Sequence, residues 1–231
     1  MARCYIARGH IRVTRENRSL ADLEDGIRDF EAAIDLDMTK RDLQGEVIIQ
    51  AFIDLARMET AEFDKKPRIP LINSAINHLR HVLDFDPDAT ALIKTPLATA
   101  FHSRGKLFHA EEDFTSAIDD YQQAIQTDPG VRPDVSPDMA QAFFQRGMLN
   151  KGNQAVADFT EALVFDSLLD MAYVERGRIH AAEGSFPEAI KDLGQAVQID
   201  PDNLAIVKDD FAKAHRLHAE QSFKQDQFQK A

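Results

Sequence analysis

Along most of this chain, apolar residues recur at spacings of three and four, the pattern typical of amphipathic α-helices that bury one face. The clearest stretch runs from Met171 to Pro201 and contains two such segments. Between them, Gly184 suits the end of a helix and Ser185 suits the start of the next one. Pro201 cannot continue the helix that precedes it. The pattern therefore predicts two helices joined by a short turn.

The same unit recurs along the chain. An Arg-Gly pair lies in the first apolar segment, and an aspartate followed by an aromatic residue or leucine lies in the second. The pairs are Arg8-Gly9, Arg104-Gly105, Arg146-Gly147 and Arg176-Gly177. The aspartates are Asp29, Asp120, Asp158 and Asp192. Repetition of a two-helix unit predicts a stack of hairpins, each of which buries its neighbour's apolar face.

The segment from Ala98 to Pro129 follows the same plan. It carries, in order, Phe101, Gly105, Phe108, Phe114, Ala117, Tyr121 and Ala124. This order of small, aromatic and proline residues resembles the tetratricopeptide repeat, a unit of about 34 residues. The resemblance extends over nearly the whole chain. It implies an all-α fold, a right-handed superhelical array of about five hairpins with a C-terminal capping helix.

The spacing of the repeats predicts where the units begin and end. The aromatic residue or leucine of the second helix falls at Phe30, Leu79, Tyr121, Phe159 and Leu193. The approximate units are 1–38, 39–87, 88–129, 130–167 and 168–202, followed by a capping helix and polar tail over 203–231. The capping stripe is Leu204, Val207, Phe211, Ala214 and Leu217.

The early units are longer than the last, so we expect insertions in them. We expect extra residues in the first internal turn, over 15–25. We also expect an irregular segment over 38–71, where Pro67 and Pro70 interrupt any continuous helix. Pro129 to Pro137 predicts another long connection. The fourth unit is shorter than its neighbours between Gly147 and Ala155, so it should lack about one helical turn.

The Arg-Gly pairs predict two structural contacts. Gly105 and its equivalents should lie where the two helices of a hairpin cross, because a side chain there would push the helix axes apart. The second unit lacks both the arginine and the aspartate, and it has His78 in the aspartate's place. We infer that the arginine and aspartate of each hairpin pair with each other. This structural role is favoured over ligand binding, because the internal acid occupies the cation.

Composition and charge narrow the classes of function. The formal net charge is -12, which argues against general binding to nucleic acids or anionic membranes. Cys4 is the single cysteine, so an intrachain disulfide and a cysteine-based zinc cluster are excluded. The N-terminal residues lack the apolar core of a signal peptide, and no apolar run has transmembrane length. These features predict a cytoplasmic protein.

The resemblance implies that the first helices of successive hairpins line a concave groove that receives a partner's peptide or helix. The candidate groove residues are Arg3, Ile6, His10, His102, Lys106, His109, Phe144, Met148, Lys151, Val174 and Arg178. This set has cations and histidines but no acid, so a partner with an acidic or carboxylate-bearing segment is expected. The alternative is a solvated helix face that binds nothing. The lysine and asparagine set that binds chaperone tails in one subgroup of the family is not reproduced here.

Two further interpretations remain open. The first is a self-associating scaffold that forms a homodimer through the N-terminal unit, because no capping helix precedes it. The second is a metal-dependent enzyme that uses His78 and His81, or His215 and His218, although such pairs alone are weak ligand sets. No phosphate loop, nucleophile elbow or metalloprotease motif accompanies them. We therefore predict a non-catalytic adaptor with no metal, cofactor, nucleic-acid partner or membrane insertion.

Overall fold

The structure is a computed structural model that describes residues 1–15, 19–36, 40–65, 69–85 and 87–229. Within these ranges the chain forms eleven α-helices joined by short turns. They are α1 (Ala2–Thr14), α2 (Leu20–Leu36), α3 (Lys40–Lys65), α4 (Ile69–Phe85), α5 (Thr90–Ala110), α6 (Phe114–Thr127), α7 (Arg132–Leu149), α8 (Gly152–Phe165), α9 (Asp170–Ala182), α10 (Phe186–Ile199) and α11 (Asn203–Gln229).

The helices belong to two compact units, Met1–Val135 and Ser136–Ala231. In the first unit α1 packs against α2, α3 against α4 and α5 against α6, and each hairpin also contacts the next. In the second unit α9 packs against α10 and also contacts α8, while α11 packs against α10 and α9. The prediction of an all-α helical-repeat fold is confirmed.

The helix-crossing glycines lie where the repeat pattern predicts. A Cβ atom built on Gly105 would come within 2.6 Å of the Tyr121 ring, and one on Gly147 within 2.8 Å of the Phe159 ring. The equivalent distances from Gly9 to Phe30 and from Gly177 to Leu193 are both 3.1 Å. In these four hairpins, the residue after the aspartate therefore fills the space that the glycine leaves open.

The turn between α9 and α10 is close to the predicted one. Gly184 follows α9 with a φ of +81°, a conformation that glycine adopts without steric cost. Ser185 is the N-cap residue of α10, but its side chain makes no capping hydrogen bond. Asp113 does cap α6, because its carboxylate accepts a hydrogen bond from the Ser116 backbone N–H at 3.1 Å.

The expectation of an irregular segment over 38–71 is wrong. Helix α3 occupies most of it and buries Phe52, Leu55 and Ala56. The second proline, Pro70, is the second residue of α4, where a missing backbone N–H costs no helical hydrogen bond. Residues 66–68, which include the first proline, lie outside the described residues. In the first turn, α1 ends at Thr14 and α2 begins at Leu20, and residues 16–18 between them also lie outside the described residues.

The expected long connection over Pro129–Pro137 is also wrong. A single 3-10 turn, Pro129–Val131, leads directly into α7. Pro133 lies in the first turn of α7, where proline is tolerated, and Pro137 lies inside the helix near its start. The shortening of the fourth unit is confirmed, because α7 ends at Leu149 and only residues 150–151 precede α8.

Helix α11 is longer than the predicted capping stripe. Val207 and Ala214 are fully buried, as the capping role requires, but Leu204 is exposed. Asn203 stabilises the helix start, since its side-chain amide donates to Asp170 Oδ2 at 2.6 Å and to the Ala196 carbonyl at 3.2 Å. The tail segment that was expected to be polar continues the helix to Gln229, with Phe223 exposed.

Candidate functional site

The arginine–aspartate pairs form in all four hairpins that contain them. Arg104 donates through Nε and Nη2 to the two carboxylate oxygens of Asp120, each at 2.7 Å. Arg176 donates in the same way to Asp192, each at 2.8 Å. Arg146 Nη2 donates to Asp158 at 2.6 Å. Arg8 makes the same two-point contact with Asp29. The aspartates are buried, and such bidentate contacts are the strong form of this interaction.

An aromatic ring lies beneath each of these arginines, a feature that the sequence analysis missed. The ring belongs to the residue three positions earlier, which one helical turn places on the same face. The distances from guanidinium to ring centroid are 5.1 to 5.5 Å, within the range of a cation–π contact. The rings are those of Tyr5, Phe101, Phe143 and Tyr173. The spacing was visible in the sequence as aromatic-x-x-Arg-Gly.

Two of the arginines also connect neighbouring hairpins. Arg104 Nη1 donates to Asn73 Oδ1 on α4 at 2.6 Å, and Arg176 Nη1 donates to Thr160 Oγ1 on α8 at 3.0 Å. The hydrogen bonds to Asp192 raise the pKa of Arg176. The hydrogen bond from Arg8 lowers the pKa of Asp29, against the opposing effect of burial. Arg104 and Arg176 are therefore structural connectors rather than free ligand-binding cations.

The second hairpin replaces the ion pair with an aromatic stack. By the same spacing, Phe52, Leu55 and Ala56 stand where the other hairpins have the aromatic residue, arginine and glycine. The Phe52 ring lies 6.0 Å from His78 and 6.1 Å from His81, measured between ring centroids. Both histidines therefore pack against this ring. Among the described residues, no group of three or more His, Cys, Asp or Glu side chains is arranged to hold a metal ion.

The predicted groove residues of the first unit differ in exposure. Arg3 and Lys106 are exposed, while Ile6 is half-buried. His10 packs edge-on against Phe30 at 5.5 Å, and His102 does so against Tyr121 at 5.6 Å. The two histidines are half-buried and contribute to the packing of their own hairpins, while the two cations are accessible to a partner.

In the second unit, Met148 and Lys151 are exposed, and the Phe144 ring lies 5.7 Å from that of Phe159. Val174 is fully buried in a core cluster with Leu193, Ala196 and Val207. A groove-facing position for Val174 is therefore wrong, because α10 and α11 cover that side of α9. The sequence pattern located the apolar stripe but not the element that covers it.

Arg178 is not a free groove cation either. Its Nη1 donates to Glu175 at 2.7 Å, and its Nε donates to Asp210 on α11 at 2.9 Å. These hydrogen bonds raise the pKa of Arg178. The candidate set contains no acid, but Asp210, 32 residues away in sequence, places a carboxylate beside Arg178.

The first unit contains a cleft that the sequence did not predict. Its volume is about 370 Å³, and residues of α3, α4 and α5 line it. The apolar lining is Ala56, Ala61, Leu79 and Pro96, and the polar lining is Arg57, Thr60, Thr95 and Thr99. Residues from three helices of two hairpins meet here, so periodicity within one repeat could not identify the set.

Comparisons with known proteins agree with the hairpin geometry. A family model for the tetratricopeptide repeat matches residues 98–130 and 172–203. A DnaJ homolog subfamily C member 7 homolog from Dictyostelium discoideum is 23% identical over 133 residues, which cover 56% of this chain and 25% of that protein. Its counterpart from Schizosaccharomyces pombe is 27% identical over 135 residues, which cover 54% and 27%. The chain thus matches only about a quarter of each relative's length.

Two of the solved structures that the chain is similar to are tetratricopeptide repeat domains. The first such domain of Spaghetti (RPAP3), bound to an HSP90 peptide, is 24% identical with a TM-score of 0.37, covering 54% of this chain and 95% of that one. The TPR2AB domain of yeast Sti1, in a complex with an HSP90 segment, is 18% identical with a TM-score of 0.34, covering 93% and 98%.

Hairpins that cross at glycine, stack on one another and end in a capping helix define a helical-repeat protein. The matched segments coincide with the third and fifth hairpins. In these two segments the chain is similar to the tetratricopeptide repeat family. Proteins of this family are in general non-catalytic interaction modules. None of the described helices is long and apolar enough to span a membrane.

Proposed function

We propose that this protein is an adaptor that binds an extended peptide segment of a partner in the cleft between α3, α4 and α5. The single observation that carries this proposal is the cleft itself. Its apolar lining is bordered by hydrogen-bonding groups, the composition that is typical of sites for small ligands and peptide side chains.

The polar groups of the cleft suit a peptide carrying an acidic side chain or carboxylate. Arg57 is largely exposed and lies 3.9 Å from its neighbour Asp54, so its guanidinium can reach a ligand. Thr60 and Thr99 donate their hydroxyl hydrogens to carbonyls of their own helices. Their oxygens therefore face a ligand as acceptors, for example of a peptide N–H. Arg57 supplies the charge complementarity, and the threonines supply hydrogen bonds to the backbone.

The experiment compares partner capture by the wild-type protein and two charge-reversed variants. Partners are first identified by crosslinking and mass spectrometry, and the affinity of the recovered segment is then measured by titration calorimetry. Arg57→Glu should weaken binding by about tenfold or more, because an acidic ligand would face a carboxylate. Arg216→Glu, on the exposed face of α11, is the matched control and should bind as wild type. Equal affinity of Arg57→Glu and wild type would move the site elsewhere.

Lys106→Glu is a second test of partner binding, because Lys106 is exposed on α5. Arg178→Glu would be a poor test, since it also breaks the contact with Asp210 on α11. Weaker partner binding by Arg178→Glu could therefore result from a displaced α11 as well as from a lost contact with the partner.

A further inference from the structure

The outer face of α1 carries an accessible stripe of residues one helical turn apart. Met1, Cys4, Tyr5 and Arg8 line a cleft of about 370 Å³ on this face. Ile11, about one turn beyond Arg8, is 71% exposed. The stripe combines apolar groups with a guanidinium, and its positions follow the spacing of a helix–helix contact surface.

The same stripe on α5 and on α9 is covered. Tyr5 and Arg8 correspond to Phe101 and Arg104 on α5, where α4 packs against the helix and Asn73 accepts a hydrogen bond from the arginine. On α9, the covering helix is α8, and Thr160 accepts from Arg176. The exposed side-chain fraction is 22% for Arg104 and 17% for Arg176, but 55% for Arg8. The face of α1 is thus built like a surface that receives a helix.

The charge of α1 distinguishes between the two kinds of helix that could cover its outer face, a second copy of α1 and an acidic helix. Helix α1 carries Arg3, Arg8 and Arg12 and no acid, and Arg15 follows it. Arg8 and Arg12 both donate to Asp29, and Arg12 also pairs with Asp25 at 3.5 Å, so two carboxylates of α2 pair with these cations while α1 and Arg15 supply four arginines. A second copy that docked symmetrically through α1 would bring arginines against arginines, because an isologous interface pairs each patch with itself. Like charges at an interface are costly, whereas carboxylates would be attracted.

We infer that the outer face of α1 is a second docking surface, separate from the cleft between α3 and α5, and that it binds an acidic amphipathic helix of another protein. The apolar side chains of that helix occupy the cleft beside Tyr5 and Cys4. Its carboxylate or amide oxygens accept hydrogen bonds from Arg8 and pair with Arg3. This is the contact that Asn73 and Thr160 make inside the chain.

The test uses Cys4, because it is the single cysteine of the chain and lies in the cleft. The probe is a lactam-bridged helical peptide of about 20 residues, a length at which such a helix is stable. It has leucines at helical spacing and glutamates on both flanks. A matched peptide has lysines in place of the glutamates. The rate at which a maleimide modifies Cys4 in the full-length protein is measured at increasing peptide concentration.

The acidic peptide should slow modification by about tenfold when nine-tenths of the sites are occupied, by simple mass action. Arg3→Glu and Ile11→Asp should each weaken this protection by about fivefold or more, since both positions are exposed and leave the fold intact. Arg57→Glu should leave the protection unchanged, so failure of this surface is distinguishable from failure of the cleft between α3 and α5.

Three results would overturn the proposal. Modification at the wild-type rate at all concentrations of the acidic peptide would show that no helix docks there. Equal protection by the lysine peptide would remove the charge argument. A concentration-dependent dimer in light scattering, with Cys4 protected in the absence of peptide, would show that a second copy covers α1 instead.

Discussion

Gly105 on α5 and Tyr121 on α6 share one space at the crossing of their helices. A Cβ atom on Gly105 would lie 2.6 Å from Tyr121 Cε1, a separation that real Cβ atoms do not adopt. Tyr121 is fully buried, so its ring cannot move into solvent without opening the hairpin. The close approach of the two helices therefore depends on the absence of a side chain at position 105.

Replacing this glycine should be costly. Gly105→Ala is expected to lower the free energy of unfolding by about 1–3 kcal/mol, because the added methyl group overpacks the crossing. Gly194→Ala is the matched control, since its Cβ would lie 3.8 Å from Phe211 and alanine is the better helix former by up to about 1 kcal/mol. Urea unfolding measures the free energy of unfolding of both variants. A Gly105→Ala variant as stable as Gly194→Ala would contradict the role of Gly105 at the helix crossing.

Removing a buried carboxylate of the repeat should leave its arginine without a partner. Asp120→Ala should cost more than the roughly 0–1 kcal/mol of an exposed ion pair, and up to the roughly 3–5 kcal/mol of a buried one. The neighbouring Asp119 is exposed and makes a matched control. Asp192→Ala should behave as Asp120→Ala does. Thermal unfolding checks this, and an unchanged melting temperature for Asp120→Ala and Asp192→Ala would contradict the structural role of the pairs.

Acid should weaken the fold through Asp29. Its pKa is lowered below 3.8 in the folded state, chiefly because Arg8 donates hydrogen bonds to the carboxylate. The unfolded state therefore takes up a proton more readily as the pH falls, so the stabilisation is complete above about pH 4 and is lost progressively below it. Urea unfolding between pH 3 and pH 7 measures the dependence.

Asp29→Asn is the control for this dependence. The variant should be less stable at pH 7 and should lose less stability on acidification than the wild type does. An acid dependence identical in the two proteins would show that the contact between Arg8 and Asp29 does not contribute.

The attachment of α11 should depend on Asn203. Its buried amide joins α11 to Asp170 and to the end of α10, so Asn203→Ala should cost about 1–3 kcal/mol by leaving polar groups unpaired. The backbone amides of α11 should also exchange with deuterium faster, while those of α9 change less. Asn153→Ala, at an exposed position of α8, is the control. Unchanged exchange in α11 would contradict this role.

Two corrections show where sequence patterns mislead. The long interval between repeats suggested an irregular segment over 38–71, yet α3 forms there because its apolar residues keep helical spacing. The predicted interruption beside the prolines does occur, since α3 ends at Lys65 and α4 begins at Ile69. Val174 lies one turn before Gly177, which suggested an accessible groove position. Its burial follows from α10 and α11, whose positions the repeat pattern of α9 does not contain.

The amino-acid sequence by itself determined the contacts within each repeat. The pairing of arginine with aspartate connects residues 12 to 21 positions apart within one hairpin, and the glycine crossing lies beside it, so helical periodicity and the length of the turn place both partners. Only the tertiary structure decided which faces neighbouring elements cover. Asp210 reaches Arg178 from 32 residues away, and the cleft between α3 and α5 combines side chains of two hairpins. Such contacts depend on how whole helices pack, because no local spacing specifies the side chains that meet across two repeats.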